Sequence, residues 1–202
     1  MPSRRLILSS ALALPWALTA CSKSETPAAS GGTPAAAPPQ RRTPSVEAAA
    51  QARGFTVGAL MAAQPAYVFF DPQCPHCGKL WEAARPLLGK AKFVWVPVGL
   101  INATSVAQGA ALLQAADPAA TMNEHEASLL AGKGGLTAPG SVPAELEAAI
   151  KANTQLFSSF GAEGVPFVIA RNLRSGQTVT REGSMATPAL AELLGVDVPA
   201  GG

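Results

Sequence analysis

The chain has 202 residues, 48% of them hydrophobic, enough to bury one core of ordinary domain size. Its three cysteines, Cys21, Cys74 and Cys77, are too few for the disulfide framework of a small secreted scaffold, so folding does not rest on bridges. Lys and Arg number 15 against 13 Asp and Glu, a formal net charge of +2, and no basic stripe argues for nucleic acid or a polybasic membrane surface.

Residues 1–20 read as an export signal. Arg4 and Arg5 precede a nearly unbroken apolar run from Leu6 to Ala20, which at about 15 residues is shorter than the roughly 20 a spanning helix needs. Leu18-Thr19-Ala20-Cys21 resembles the lipobox of bacterial lipoproteins, in which Cys21 would be lipidated and become the mature N-terminus. The alternatives are ordinary cleavage after Ala20, which leaves a free thiol, and a twin-arginine signal around Arg4-Arg5. Residues 21–44 are rich in Pro, Ala, Ser and Gly with almost no large apolar side chain, and read as a tether.

Residues 45–63 form a lead-in, alanine-rich and expected to be helical from Val46 to Met61, although Gly54 and Gly58 work against it. Residues 64–202 form the domain proper. Ala66 to Phe70 is apolar throughout, as in a central strand. A helix should start at the cysteines and run through Ala83 until Pro86 kinks or ends it. Lys92 to Val98 is a second strand, parallel to the first because a helix separates them. Asn102 to Ala131 reads as helices interrupted at Asp117-Pro118, followed by a loop over Gly132 to Gly140 and a helix over Pro143 to Phe160. Strands at Val165–Ala170 and Thr178–Arg181 flank the hairpin signal "RNLRSGQ", and Thr187 to Leu194 is the closing helix. The layout is α/β with a small mixed sheet.

Chemistry concentrates in "FFDPQCPHCGKLW", residues 69–81. Zinc needs three or four protein ligands; one C-x-x-C supplies two, and His76 and His125 are poor candidates for the rest. A structural disulfide closing so short a loop gains little. Redox exchange gives every position a reason. At a helix N-terminus Cys74 lies beside unpaired N–H groups and the positive end of the helix dipole, which favour the thiolate. Cys77, one turn on and deeper, can attack a mixed disulfide formed at Cys74. Pro75 suits the first helical turn, where no N–H is needed, and His76 adds a dipole or positive charge. A Pro-His pair is expected to set the Cys74 pKa toward the low end of the range such motifs span, about 3.5 to 7.

The segment from Phe69 to Trp81 resembles the active-site segment of periplasmic thiol:disulfide interchange proteins with a thioredoxin fold, most closely the DsbG/DsbC branch. The pattern Phe-x-Asp-Pro-x-Cys-Pro-x-Cys carries over as Phe69, Asp71, Pro72, Cys74, Pro75 and Cys77. "EGVPFVIARN" resembles the strand that this fold enters through a cis-proline, which makes Pro166 cis and leaves the Val165 backbone to pair with a substrate peptide as an added strand. The similarity extends over about Gln64 to Val198. It implies a thioredoxin-like fold with a helical insertion between the second strand and the cis-proline strand. Two departures from the branch stand out. Only Thr43 to Ala63 precedes the catalytic domain, where the isomerases of the branch carry a dimerisation domain. Val165 stands where the branch has Thr; with the Cys-Pro-His-Cys centre it resembles the oxidase DsbA.

The expectation is an exported, lipid-anchored oxidoreductase of the bacterial periplasm or cell envelope that oxidises cysteines of envelope proteins. It would need no cofactor or metal and would be recharged by a membrane redox partner. A reductase or sulfenic acid repair protein is the enzymatic alternative, and a non-catalytic binding module or chaperone the alternative of another class. Of the remaining residues, His125 in "NEHE" reads as solvated, Asp71 as a cap in preference to a proton-handling group, and Trp81, Phe93, Trp95 and Phe167 as core. "AGKGG" at 131–135 lacks the spacing of a phosphate-binding loop.

Overall fold

The computed structural model describes residues 41–62 and 64–198. The export signal and Cys21 lie outside the described residues, as does the tether up to residue 40. Among the described residues no helix is long and apolar enough to cross a membrane.

Five strands form one mixed sheet: β1 (Phe55–Gly58), β2 (Pro65–Phe70), β3 (Lys92–Pro97), β4 (Phe167–Arg171) and β5 (Thr178–Glu182). Their order across the sheet is β1-β3-β2-β4-β5. Only β2 and β3 run parallel; β1 pairs antiparallel with β3, β4 with β2, and β5 with β4. The continuous apolar run of β2 follows from its central place, since both of its faces are covered.

Alternation along the strands sorts the core into two layers. Val68 and Phe70, Phe93 and Trp95, and Val168 and Ala170 face one side, against α2 (Pro75–Ala84), α4 (Pro118–Leu130) and α6 (Thr187–Leu194). Tyr67, Phe69, Val96, Phe167 and Ile169 face the other, against α1 (Val46–Ala49) and α5 (Ala144–Ser159). Trp81, Phe93 and Trp95 are fully buried and Phe167 is 4% exposed, so all four are core as expected. Trp95 is clasped edge-on between Trp81, at 5.1 Å, and Phe70, at 5.5 Å. Three helices, α3 (Ala103–Gln114), α4 and α5, are inserted between β3 and β4, where the sequence placed the insertion. Asn102 caps α3 through a capping box and Asp117 caps α4 through the Ala120 N–H, with Pro118 opening its first turn. Pro86 falls in a 3-10 turn, Arg85–Leu87, that ends α2.

The lead-in differs from expectation. Helix occupies only Val46–Ala49, and Phe55–Gly58 is an edge strand in place of the predicted helix. Phe55 and Val57 are buried at 6% and 4% while Thr56 is exposed, a period of two that the surrounding alanines mask. Phe55 stacks edge-on against Phe70 at 6.1 Å. The glycines that weakened the helix belong to this pairing. A Cβ at Gly54 would stand 2.6 Å from the Trp95 carbonyl oxygen, and Gly58 adopts φ +92°.

Candidate active site

The end of β2 delivers the chain to Asp71, whose buried carboxylate organises the loops around it. Oδ1 accepts the Gln73 N–H at 2.8 Å, and Oδ2 accepts those of Leu100 at 2.7 Å and Ile101 at 2.9 Å. Asp71 therefore ties the loop after β2 to the loop after β3. It does not cap α2; that position belongs to Cys74 (φ −97°, ψ 110°), with Pro75 opening the helix.

Cys74 and Cys77 are both free thiols and both buried, Cys74 at 6% exposure and Cys77 at 0%. The two sulfurs share a hydrogen bond that divides their chemistry. That bond is the largest cause lowering the Cys74 pKa to about 6; the Cys77 and His76 backbone N–H groups and the charge of His76 add to it against the cost of burial. Burial, then the bond to Cys74, pushes Cys77 well above the usual thiol range. The N-cap side chain makes no regular cap bond, so the helix end acts on the thiolate through the field of its N–H groups. His76 and Pro75 are exposed beside it. A pKa of about 6 falls toward the upper end of the span for such motifs, not the low end expected for a Pro-His pair.

The Val165–Pro166 peptide is cis, and it meets the cysteines directly: Cys74 Sγ donates to the Val165 carbonyl oxygen at 3.6 Å. Residues 91 positions apart in sequence are thus brought together by the antiparallel pairing of β4 with β2.

Two residues outside the predicted site, His125 and Gln108, complete its floor. His125 is fully buried, contrary to its solvated assignment. Its Nδ1 accepts the Leu136 N–H at 3.1 Å, which leaves the proton on Nε2 to donate to the Pro72 carbonyl oxygen at 2.7 Å. Gln108 works alongside: its amide donates to the carbonyls of Gly134 and Leu136 and its oxygen accepts from Gln73. The glycine-rich loop is in this way pinned against the loop that carries Cys74, and a Cβ at Gly135 would stand 2.5 Å from the His125 ring.

Glu126, the next residue, is also fully buried, and neither of its oxygens has a hydrogen-bond partner. It lies against α2 beside Cys77; a Cβ at Gly78 would stand 2.5 Å from its Oε2. Burial, then the negative charge of Cys74, raises its pKa to about 8. A sequence signal existed for both: Met122, His125, Glu126 and Leu129 form an i, i+3, i+4, i+7 stripe, and all four are buried. Among the described residues no group of three or more His, Cys, Asp or Glu side chains is placed to hold a metal ion.

An α/β domain with a Cys-x-x-Cys at the N-terminus of a helix and a cis-proline against it has the layout of a thioredoxin-like fold. A periplasmic thioredoxin-like protein from Salmonella enterica serovar Typhimurium shares the fold at a TM-score of 0.53 and 18% identity, over 71% of this chain and 88% of that one. Sequence similarity narrows the class. The chain is 36% identical over 132 residues to the thiol:disulfide interchange protein DsbG of Pseudomonas aeruginosa, 64% of this chain and 50% of that one. It is 38% identical over 104 residues to DsbG of Escherichia coli, 50% of this chain and 41% of that one. Over these residues the domain is similar to the DsbG interchange proteins. The chain spans about half the length of these curated relatives, and no family profile matches it.

Proposed function

We propose that the protein is a thiol:disulfide oxidoreductase that acts on cysteines of exported proteins. The observation that carries this is the division between the two sulfurs: one thiol held near pKa 6 at a helix end, the other buried beneath it with its pKa raised. Cys74 in the disulfide is the sulfur a substrate thiolate attacks, because Cys77 is fully buried. Cys77 is displaced, and Cys74, the better-stabilised thiolate, is then the better leaving group when a second thiolate resolves the mixed disulfide. Cys77 then attacks, or is displaced from, Cys74 within the centre. His76 tunes the thiolate and Pro75 opens the helix. The backbone at Val165-Pro166 orients the substrate cysteine as an added strand. Cys21 is the lipidation site that holds the domain at the envelope membrane, and a membrane redox partner recharges the centre.

The preferred direction is oxidation of substrates, supported by stabilisation of the reduced centre through the Cys74 thiolate. Reduction, including repair of sulfenylated cysteines, is the second reading, and the Cys74 pKa of about 6 favours it because it lies near thioredoxin's, about 7. Two measurements test the function. Cys77→Ala should accumulate mixed disulfides through Cys74 with unfolded, cysteine-containing envelope proteins, and Cys74→Ala should form none; absence of any adduct overturns the exchange function. Equilibration with glutathione should then give a potential well above thioredoxin's, about −270 mV. A value near thioredoxin's replaces the oxidising direction with the reducing one.

A further inference from the structure

Glu126 has no task in the exchange chemistry above, yet it occupies one of the most costly positions in the domain. A carboxylate taken out of water with neither oxygen bonded cannot stay ionised cheaply. Its position against the backbone of α2 depends on Gly78, the residue after Cys77, having no side chain.

The groups around it set the sign of its response. Helix α4 packs against α2, α3 and β1. From α2, Cys74, Cys77 and Glu82 act on it or feel it, all of them neutral or negative, while His76 and Lys79 are exposed. Helix α3 and strand β1 carry no ionisable side chain. On α4 itself Glu124 is exposed and the His125 ring is engaged by Pro72 and Leu136. No cation faces the carboxyl from these elements, and the charge acting on it that changes with redox state is the thiolate of Cys74. A thiolate there keeps Glu126 protonated. When Cys74 enters a disulfide that charge vanishes, and the carboxyl is freer to ionise.

We propose that Glu126 is the redox-linked proton site of the centre, losing its proton when the Cys74–Cys77 disulfide forms and regaining one when that disulfide is reduced. The proposal rests on the exchange function stated above. In the reducing direction the disulfide with ionised Glu126 takes two electrons and two protons. The S–S bond breaks, one proton goes to Cys77 and one to Glu126, and Cys74 remains a thiolate. The electrons come from a substrate dithiol, which becomes a disulfide. The helical insertion thereby stores a proton under the cysteines, and the driving force of exchange becomes steeper in pH than the two thiols alone would make it.

The test is the pH dependence of the potential in wild type and in Glu126→Gln, an isosteric change that mimics the protonated acid. Each is equilibrated with glutathione between about pH 6.5 and 8, where Cys74 is already a thiolate, and corrected for the protons of glutathione itself. In wild type the half-cell constant for reduction should fall about a hundredfold per pH unit at its steepest, about 59 mV for two electrons. In the variant it should fall about tenfold, about 30 mV. Equal slopes overturn the inference and leave the exchange function standing; failure to reach any redox equilibrium with glutathione overturns both. A second readout needs no variant. The reduced-minus-oxidised infrared difference spectrum of the wild type at neutral pH should gain a protonated-carboxyl C=O band, and its absence equally overturns the proposal.

Discussion

At the scale of single residues the site is governed by who hydrogen-bonds to whom and at what depth. Cys74 is lowered to about 6 because Cys77 and two backbone N–H groups stabilise its anion, and Cys77 is raised because burial opposes its own. Only a thiolate alkylates, so in the reduced protein iodoacetamide at about pH 5 to 6 should modify Cys74 and spare Cys77. The rate should rise through a midpoint near 6. His76→Ala should move that midpoint upward, since His76 contributes both an N–H group and charge; the substitution keeps the N–H and removes the charge. Equal labelling, or labelling of Cys77 first, contradicts the division of roles. Rates followed by peptide mass analysis decide it.

At the scale of elements, a buried histidine couples helix α4 to both flanking loops. Burial lowers the His125 pKa, against opposing contributions from the Pro72 carbonyl and Asp71, and its neutral form is the one whose Nδ1 accepts from Leu136. The sign of the effect follows. Below the ordinary histidine value of about 6.5 the unfolded chain binds a proton that the native chain resists, so stability falls as pH drops from there toward the lowered native value. Urea unfolding from about pH 7.5 down to 5 should show this loss. His125→Ala should remove it while lowering stability at pH 7.5 by roughly 2 kcal/mol, for two lost bonds and a cavity. An unchanged pH profile in that variant would assign the acid sensitivity elsewhere.

The same elements show what a linear reading can and cannot see. Strand β2, the cysteine helix, strand β3 and the proline strand were legible because their signals are local: a continuous apolar run, a capped start, a proline at an entry. Asp117-Pro118 likewise marked a boundary that both cap and first turn obey. The edge strand β1 was hidden because four residues give only two alternations, and the alanines before them suit a helix. His125 and Glu126 were hidden for a different reason. Their polarity suggests solvent, and only the packing of α4 on α2 turns that stripe inward. Asp71 was visible as chemically interesting, but its partners at Leu100 and Ile101 lie a whole strand away, so a local cap was the natural misassignment.

At the scale of the whole molecule, thiolate stabilisation competes with the cross-link. A disulfide closing a four-residue loop stabilises the folded state by about 2 kcal/mol in the chain-entropy account. Against it, a Cys74 pKa lowered from 9.0 to about 6 contributes to the reduced native state an amount that grows from near zero at pH 6 and is lost as pH falls through that value. At pH 7 it is about 1.4 kcal/mol, and at pH 8 roughly twice that. In Glu126→Gln, where no carboxyl proton offsets this gain, melting temperatures of the two redox states should therefore converge and cross as pH rises from 6 to 8. In that variant the oxidised form should be the more stable at pH 6 and the reduced form at pH 8, whereas in wild type the proton that Glu126 takes up on reduction offsets the gain. Calorimetry on both states at three pH values checks it; a gap independent of pH in Glu126→Gln excludes a native thiolate at Cys74.

The sheet ends on one side in β5, where Thr178, Thr180, Arg181 and Glu182 are all exposed and only Val179 is half-buried. An outer strand offers a row of unpaired backbone groups to any neighbouring chain. Here that row is dressed with hydroxyls and one charge of each sign, which discourages a second copy from adding its own edge. Under the proposed function, which sets the protein among unfolded chains, this polar border is a safeguard against coaggregation. It leaves the cis-proline side as the place for the strand addition proposed above, where the capture of an extended peptide would lead to chemistry.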